Sequence, residues 1–336
     1  MEGVNMKILV DGFGGDNSPD EVIKGCRLAA DEYGVNIALV GNKQKLEEAA
    51  GKLGVSLSGI TIIHADGFIT MEDSPRDVLK KKADSSMAVG LKALADGQGD
   101  AFVSAGNTGA LVMGTNFIVR SIEGVKRMAL APILPSEKGC FMLLDGGANL
   151  ECRPDMLLQF GLMGSIYMNK ILHLDAPRVG LVNVGTEPTK GTQLQHDTYE
   201  LLQKADCNFI GNIECRDLPL GVCDVAVADG FTGNVILKLT EGVGLTFVNN
   251  LKALLTRNLL SKLAALAVKP GLLEFKKKID YTEYGGAPLM GASRPVIKAH
   301  GSSNAKAFKN AVRQAIAFVS EGVVDTIKDS MQAYVG

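Results

Sequence analysis

Short apolar runs in this chain repeatedly end in small, polar, glycine-rich loops, and this alternation constrains its fold more than any other feature. The clearest loop is Ser104-Ala-Gly-Asn-Thr-Gly109, which follows the apolar run Ala101–Val103 and precedes a helix-like run from Ala110. Glycine lets such a loop adopt positive φ and lets a ligand approach its backbone. The N–H groups that begin the next helix have no partner within that helix and attract anions. The pattern predicts a strand, an anion-binding loop and a helix.

Five other loops follow apolar runs in the same way. They are Gly12–Asp16, Asp145–Asn149, Gly185–Glu187, Asp229–Asn234 and His300–Asn304. Apolar runs that alternate with helices predict a largely parallel, doubly wound α/β sheet that is covered on both faces. Ligands of such sheets bind beyond the carboxyl ends of the strands. The loops therefore predict one large anion-binding cleft.

The same patterns give approximate element bounds. Strands are predicted at 7–11, 36–40, 61–64, 101–104, 142–145, 178–184, 208–211 and 222–228. Helices are predicted at 20–33, 43–53, 86–96, 107–121, 155–171, 190–204 and 304–328, with a short one from Ser74-Pro75. A chain of 336 residues is long enough for a single α/β unit with two lobes around a central cleft. Pro132 and Pro135 put the predicted lobe boundary near 125–145.

Composition excludes several classes of protein. The net charge of -2 gives no sign of nucleic-acid binding. The 6 cysteines form no CxxC pair and are expected to be buried, unpaired thiols in a reducing cytoplasm. The 4 histidines lack metal-ligand spacing, so no metal site is predicted. No signal peptide is expected, because the chain goes directly into the strand-like run Met6–Asp11, and no uncharged apolar run reaches the roughly 18 residues of a membrane-spanning helix.

The segment Leu251–Val268 is unusual because its leucines cover a wide arc of the helical wheel. Pro270-Gly271 is expected to end this helix, before the lysines of 276–278. One interpretation is a buried subunit-contact helix, and the other is a surface hairpin over 251–278 that touches anionic lipid. The predicted contact residues are Leu255, Leu259, Leu263 and Leu266.

Three clusters offer cations or polar groups to an anion. The first runs from Lys298 and His300 through Ser302 and Ser303 and precedes a helix, which favours binding. The second places Thr186 and Lys190 after a strand. The third holds Arg216, which could clamp phosphate in a bidentate fork or pair with Asp217 or Glu214. The loop Gly12–Asp16 resembles a phosphate loop only loosely and also suits a tight turn capped by Asp16 or Asn17.

Several motifs in a fixed order make the chain resemble the phosphate acyltransferase family of bacterial phospholipid synthesis. The resemblance covers essentially the whole chain from Met6. The matching stretches are Gly14–Asp16, Ser104–Leu111, Leu130–Pro132, Asn183–Glu187, Arg216–Leu218, Asp229–Val235, Tyr284–Leu289 and Pro295–Ser303. The departures are Phe13, Gly146 and Cys215, none of which removes a charged or hydrogen-bonding group.

This resemblance implies a fold like those of the isocitrate and isopropylmalate dehydrogenases and the phosphotransacetylases. It implies a homodimer that transfers a long-chain acyl group from acyl carrier protein to inorganic phosphate, without a cofactor or metal. Acyl-phosphate would then serve a membrane glycerol-3-phosphate acyltransferase. The family implies a cytoplasmic protein with peripheral contact to an anionic membrane.

Phosphate is already an anionic nucleophile, so this reaction needs positioning and oxyanion stabilisation rather than a strong base. We predict Asn107, Thr108, Lys298 and His300 as catalytic, with the last two neutralising charge and protonating the departing thiolate. Asp16 and Asp229 are expected to orient loops. The predicted substrate-binding residues are Gly14, Gly15, Asp16, Ser104, Gly106, Gly109, Thr186, Lys190, Arg216, Asp229, Thr232, Gly233, Asn234, Ser302 and Ser303.

Two alternatives remain open from the sequence. One is another enzyme of the same fold, either a phosphotransacetylase that uses coenzyme A or a nicotinamide-dependent hydroxy-acid dehydrogenase. The dehydrogenase would require a metal-binding carboxylate cluster, which the sequence does not reveal. The other is a non-catalytic, membrane-associated organiser of lipid synthesis, which would not need the dense polar loops.

Overall fold

The computed structural model describes residues 6–279 and 285–335, without the side chains of 273–279 and 333–335. Tyr284 of the Tyr284–Leu289 motif and the side chains of the 276–278 lysines lie outside this description. The strands are β1 (Lys7–Asp11), β2 (Asn36–Gly41), β3 (Ile60–His64), β4 (Ala101–Ser104), β5 (Ala129–Leu130), β6 (Ile133–Ser136), β7 (Gly139–Leu144), β8 (Arg178–Val182), β9 (Asn208–Ile213), β10 (Val225–Val227), β11 (Ala287–Met290) and β12 (Val296–Lys298).

The helices alternate with these strands over most of the chain. They are α1 (Asp20–Tyr33), α2 (Lys43–Leu53), α3 (Ser86–Ala95), α4 (Thr108–Gly114), α5 (Pro154–Leu172), α6 (Gln193–Gln203), α7 (Gly230–Thr256), α8 (Leu259–Ile279), α9 (Ala305–Ser320) and α10 (Val323–Val335). The short helix predicted from Ser74-Pro75 is a 3₁₀ helix over Pro75–Leu79.

The strands form two sheets, of order β3-β2-β1-β4-β12-β11-β5 and β6-β7-β10-β8-β9. Most neighbouring pairs are parallel, and β6, β11 and β5 supply the antiparallel pairs. In β1, Ile8 and Val10 contribute to one apolar core cluster and Leu9 to another. Successive residues of a strand face opposite sides of the sheet, so β1 is buried on both faces. This accounts for its continuous apolar sequence.

The chain passes from the first sheet to the second between Leu130 of β5 and Ile133 of β6. It returns to the first sheet at β11, after α7 and α8. The two lobes predicted from the sequence, with a boundary near 125–145, remain a prediction that this crossing supports.

The structure corrects several predicted elements. The helix predicted over 304–328 is two helices, because Gly322 adopts a left-handed φ of 61° between α9 and α10. The helix predicted over 107–121 is α4 followed by a π-helical turn at Thr115–Val119. The strands β5, β6, β11 and β12 were not predicted, since runs of two to four residues carry little periodicity.

The leucine-rich segment is also built differently from the prediction. Arg257 and Asn258 separate α7 from α8, so 251–268 is not one helix. Pro270 lies inside α8 and does not end it. A proline removes one intrahelical hydrogen bond but need not stop a helix whose flanks are strong helix formers. Within the described residues, no helix has the length and apolar character needed to cross a bilayer.

The cysteines are only partly as predicted. The structure records no disulfide among them, but only Cys26 and Cys223 are buried and Cys215 is exposed. The prediction of buried thiols is therefore wrong for Cys215, which begins the short 3₁₀ helix Cys215–Leu220 after β9. Burial raises the pKa of Cys26 to about 12, so its thiol is unreactive at neutral pH.

Candidate active site

Three neighbouring parallel strands of the first sheet bring three predicted loops together. The strands β1, β4 and β12 are adjacent, and Lys298 of β12 is in register with Ser104 of β4. The Asp16 N–H donates to the Gly301 carbonyl at 2.8 Å, which ties the first loop to the last. A Cβ on Gly14 would lie 2.8 Å from the Gly106 nitrogen, so only glycine permits this approach.

A buried polar pair supports these loops from below. The Ser104 hydroxyl donates to Asp11 Oδ2 at 2.7 Å and accepts from the Gly106 N–H at 3.1 Å. Both side chains are almost completely buried. Burial raises the pKa of the Asp11 carboxyl, although hydrogen bonds from Ser86 and Ser104 oppose that shift. The pair fixes the start of the 105–109 loop, and Ser104 lies beneath the loop rather than on its surface.

Two loops of the second sheet meet in the same way. The Asp145 carboxylate follows β7 and accepts from the N–H groups of Gly147, Ala148 and Asn149. Asp229 caps α7 by accepting from the Thr232 N–H at 2.9 Å and the Thr232 hydroxyl at 2.8 Å. Asp145 and Asp229 therefore orient backbone rather than face a ligand.

A cavity of about 770 Å³ lies between the two groups of loops. Its polar lining includes Thr108, Gly109, Asn149, Asn234, Lys238, Glu241, Lys298, His300 and Ser303. Its apolar lining includes Val112, Met113, Phe117, Met128, Leu130, Ile133, Leu134 and Leu237. The cavity can hold an anion at the polar groups and an aliphatic chain along the apolar ones.

Lys298 is the most strongly perturbed group in the cavity. Its side chain is 8% exposed, and Nζ donates to the backbone carbonyls of Ala105 and Ala299. Burial, aided by the positive charge of Lys238, lowers the pKa of Lys298 to about 8. The ammonium form therefore predominates at neutral pH, although it is easier to deprotonate than an ordinary lysine.

His300 lies beside Lys298 in the same loop. Its Nδ1 is 2.8 Å from the Ser302 hydroxyl, and its Nε2 is 3.9 Å from Glu241 Oε1. Burial lowers the pKa of this imidazole, which keeps it mostly neutral at pH 7.

Helix α7 contributes two cavity residues that the sequence analysis missed. Lys238 and Glu241 line the cavity and form an ion pair of 2.8 Å. With Asn234 they are spaced by four and then three residues, which puts all three on one face of a helix. Extending a helix from the Asp229 cap would have revealed that face.

The structure brings together only part of the predicted site. Thr108, Gly109, Asn234, Lys298, His300 and Ser303 line the cavity. Gly14, Gly15, Asp16, Ser104, Gly106 and Ser302 lie in or beneath the surrounding loops, and Asp229, Thr232 and Gly233 form the start of α7. Asn107 does not line the cavity: Oδ1 accepts from the Ala110 N–H at 3.0 Å, and Nδ2 donates to the Met71 carbonyl at 3.1 Å. Its side chain caps α4 and holds the 70–73 segment.

The second and third cation clusters lie elsewhere. Thr186 and Lys190 are exposed in the segment after β8 and do not line the cavity. The Arg216 guanidinium is 2.5 Å from Glu214 Oε2, with Asp217 3.9 Å away. Of the two interpretations of Arg216, phosphate clamp or local ion pair, the structure favours the ion pair with its own segment.

Two sheets that direct glycine-rich loops into a shared cavity form an α/β fold that is also seen in solved structures. A phosphotransacetylase from Streptococcus pyogenes superposes with a TM-score of 0.64 at 18% identity, covering 94% of each chain. The EutD phosphotransacetylase from Staphylococcus aureus gives 0.62 at 16% identity, covering 98% of this chain and 95% of the other. These similarities confirm the predicted fold class.

Sequence similarity is closer and extends over nearly the whole chain. The family described as fatty acid synthesis protein matches residues 6–326. The phosphate acyltransferase of Alkaliphilus oremlandii is 47% identical over 328 residues, which cover 98% of each chain. That of Bacillus licheniformis is 46% identical over 329 residues, covering 97% of this chain and 98% of the relative. The chain belongs to the phosphate acyltransferase family and is an acyltransferase, as the resemblance predicted.

Proposed function

We propose that this acyltransferase transfers a long-chain fatty acyl group from acyl carrier protein to inorganic phosphate. The cavity is the observation that carries the proposal. It combines a buried cation and polar loops with apolar lining residues, and its volume of about 770 Å³ is ample for a phosphate and part of an acyl chain. The acyl-phosphate formed would supply a membrane glycerol-3-phosphate acyltransferase.

The proposed reaction joins a phosphate oxygen to the thioester carbonyl carbon and breaks the carbon–sulfur bond. Thr108 and Gly109 face the cavity and are the proposed donors to the carbonyl oxygen as negative charge develops there. Lys298 attracts phosphate and gives a proton to the departing thiolate. Its pKa of about 8 is close to the ordinary thiol value of roughly 8.5, so the transfer is nearly balanced. Solvent then reprotonates Lys298.

We predict that the purified protein releases carrier-protein thiol from a long-chain acyl thioester only when phosphate is present. Thiol release and acyl-phosphate formation, measured together, should rise in equal amounts. The matched substrate is the acyl-coenzyme A of the same chain, which should react much more slowly. Equal thiol release without phosphate would indicate a hydrolase. Preference for the coenzyme A thioester would favour the phosphotransacetylase alternative.

The proposal also includes a hydrophobic contact made by α7 and α8. Residues 242–250 of α7 are all exposed, and Leu259, Leu263 and Leu266 of α8 are 76%, 57% and 65% exposed. Leu255 is half-buried. Exposed leucines on adjacent helices need an apolar partner. We propose that this protruding hairpin serves a homodimer, peripheral binding to the anionic cytoplasmic membrane, or both.

Leu259→Glu with Leu263→Glu distinguishes these partners. If lipid is the partner, the double variant should lose binding to vesicles of anionic lipid while keeping its subunit state and its activity on soluble substrate. If a second subunit is the partner, sedimentation should show monomers. The control is Asn249→Glu with Asn250→Glu, which adds the same charge to exposed positions of α7 without removing a leucine. Unchanged vesicle binding and unchanged subunit state would contradict the proposed contact.

A further inference from the structure

We infer that Lys238 and Lys298, which reach the same cavity from elements of different sheets, form a two-lysine clamp that binds the phosphate oxyanion. The inference rests on the proposed function and assigns the phosphate position within it. Lys298 ends β12 of the first sheet, whereas Lys238 lies on α7, which follows β10 of the second sheet. Both side chains line the same cavity. A phosphate between them would contact both halves of the site at once.

The charges around the two lysines leave a net positive charge that an anion can balance. Lys238 Nζ is 2.8 Å from Glu241 Oε2, so one carboxylate balances one ammonium. The Lys298 Nζ donates to the backbone carbonyls of Ala105 and Ala299, which carry no net charge. Asp16 and Asp11 attract Lys298 only from a distance. With His300 neutral, the charged lining groups Arg127, Lys238, Lys298 and Glu241 carry about two net positive charges near pH 7.

The two lysines also repel each other. The charge of Lys238 is one of the causes that lower the pKa of Lys298, after burial. The Lys238 side chain is 59% exposed, so the repulsion mainly disfavours the charged form of the buried Lys298 when no anion is bound. A bound phosphate dianion converts this repulsion into attraction to both groups. The unliganded site is therefore electrostatically prepared for an oxyanion.

Lys238→Met tests the clamp. Loss of one charged hydrogen bond is worth roughly 1.5 to 3 kcal/mol, so the phosphate KM and the Kd for sulfate should rise about 10- to 150-fold. The KM for the acyl donor should change little. The control is Lys252→Met, at an exposed position on the same helix outside the cavity. Lys238→Arg keeps the positive charge and should retain binding within a few fold.

The pH dependence of sulfate binding separates the clamp from a structural role, because sulfate does not titrate in this range. In the parent protein, binding should weaken as pH rises through about 8, where Lys298 loses its proton. In Lys238→Met the repulsion is gone, so the midpoint should move to higher pH. Burial lowers the pKa of His300, which keeps its titration below this window, and the other charged groups that act on Lys298 are Lys238, Asp16 and Asp11.

Sulfate binding is measured by calorimetry on the full chain without an acyl donor, so it does not depend on the proposed reaction. Parent-like sulfate affinity in Lys238→Met, or an unshifted midpoint, would overturn the clamp even if acyl-phosphate is formed. Weakened binding with a raised midpoint would support it even if the acyl donor proves different. Should Lys238→Met fail to fold, Lys238→Gln is measured in its place against the same expectations.

Discussion

Lys298→Met is expected to remove most of the activity while making the protein more stable. The parent buries an ammonium group whose pKa falls from 10.5 to about 8, and that shift corresponds to roughly 3 kcal/mol of unfavourable free energy at neutral pH. Methionine has a similar length and no charge. Loss of the hydrogen bonds to the Ala105 and Ala299 carbonyls offsets part of the gain. A net increase of about 1 to 2 kcal/mol in the free energy of unfolding is expected.

The loss of activity follows from the two roles proposed for Lys298. Without its charge, the cavity attracts phosphate less, and the thiolate loses its proton donor. We expect kcat/KM to fall by roughly 10²- to 10³-fold, a magnitude typical for a group that stabilises charge in the transition state. Urea denaturation and steady-state kinetics on the same preparation measure both effects. Lys92→Met, at an exposed position of α3, is the matched control and should change neither by much.

The pH dependence of the stability difference is a further part of this prediction. The folded-state pKa of Lys298 lies below the unfolded value, so the parent gains stability as pH rises from about 8 toward 10.5. The advantage of Lys298→Met is therefore complete below pH 8 and is lost by about pH 10.5. A variant that is less stable than the parent at pH 7 would contradict the electrostatic account of this residue.

Strand ends could be predicted well from the sequence because each apolar run is followed by a glycine-rich polar loop, which marks where the strand stops. The strands β1 and β4 have the predicted bounds, and their loops approach each other closely at Gly14 and Gly106. Lys298 and His300 were found because a cation and an imidazole stood beside flexible, polar residues before a helix. The short strands β5 and β11 were missed because their register depends on partners distant in sequence.

Residue type alone could not separate helix capping from ligand binding. Asparagine and threonine at the start of a helix satisfy backbone N–H groups and also suit anion sites, so Asn107 and Thr108 were predicted together. In the structure, the Asn107 side chain accepts from the Ala110 backbone N–H, whereas Thr108 lines the cavity. Lys238 and Glu241 were missed because no helix was predicted for their segment. Their helix begins with Gly230 and Gly233, which have low helix propensity.

The close packing at Gly233 explains why α7 has glycine in its first turn. It also leads to the second prediction with a large expected effect. A Cβ at Gly233 would lie 1.9 Å from the Asp145 carbonyl oxygen, a distance that no side chain can adopt. The backbone at Asp145 cannot easily move away. Its N–H donates to the Ala228 carbonyl at 2.9 Å, and its carboxylate accepts from the Leu130 N–H at 2.9 Å. Close packing here joins α7 directly to the loop after β7.

Gly233→Ala is therefore expected to lower the free energy of unfolding by about 3 kcal/mol or more, because α7 must shift away from β7. The shift would also displace Asn234 and Lys238 from the cavity, so activity should fall even in the folded fraction. Gly244→Ala makes the same change further along α7, where no atom lies within 4 Å of the added Cβ. Alanine is the better helix former, so this control should gain roughly 0.5 to 1 kcal/mol. Equal stability of the two variants in urea denaturation would mean that the α7–β7 contact is not close, and the cavity geometry derived from it would be wrong.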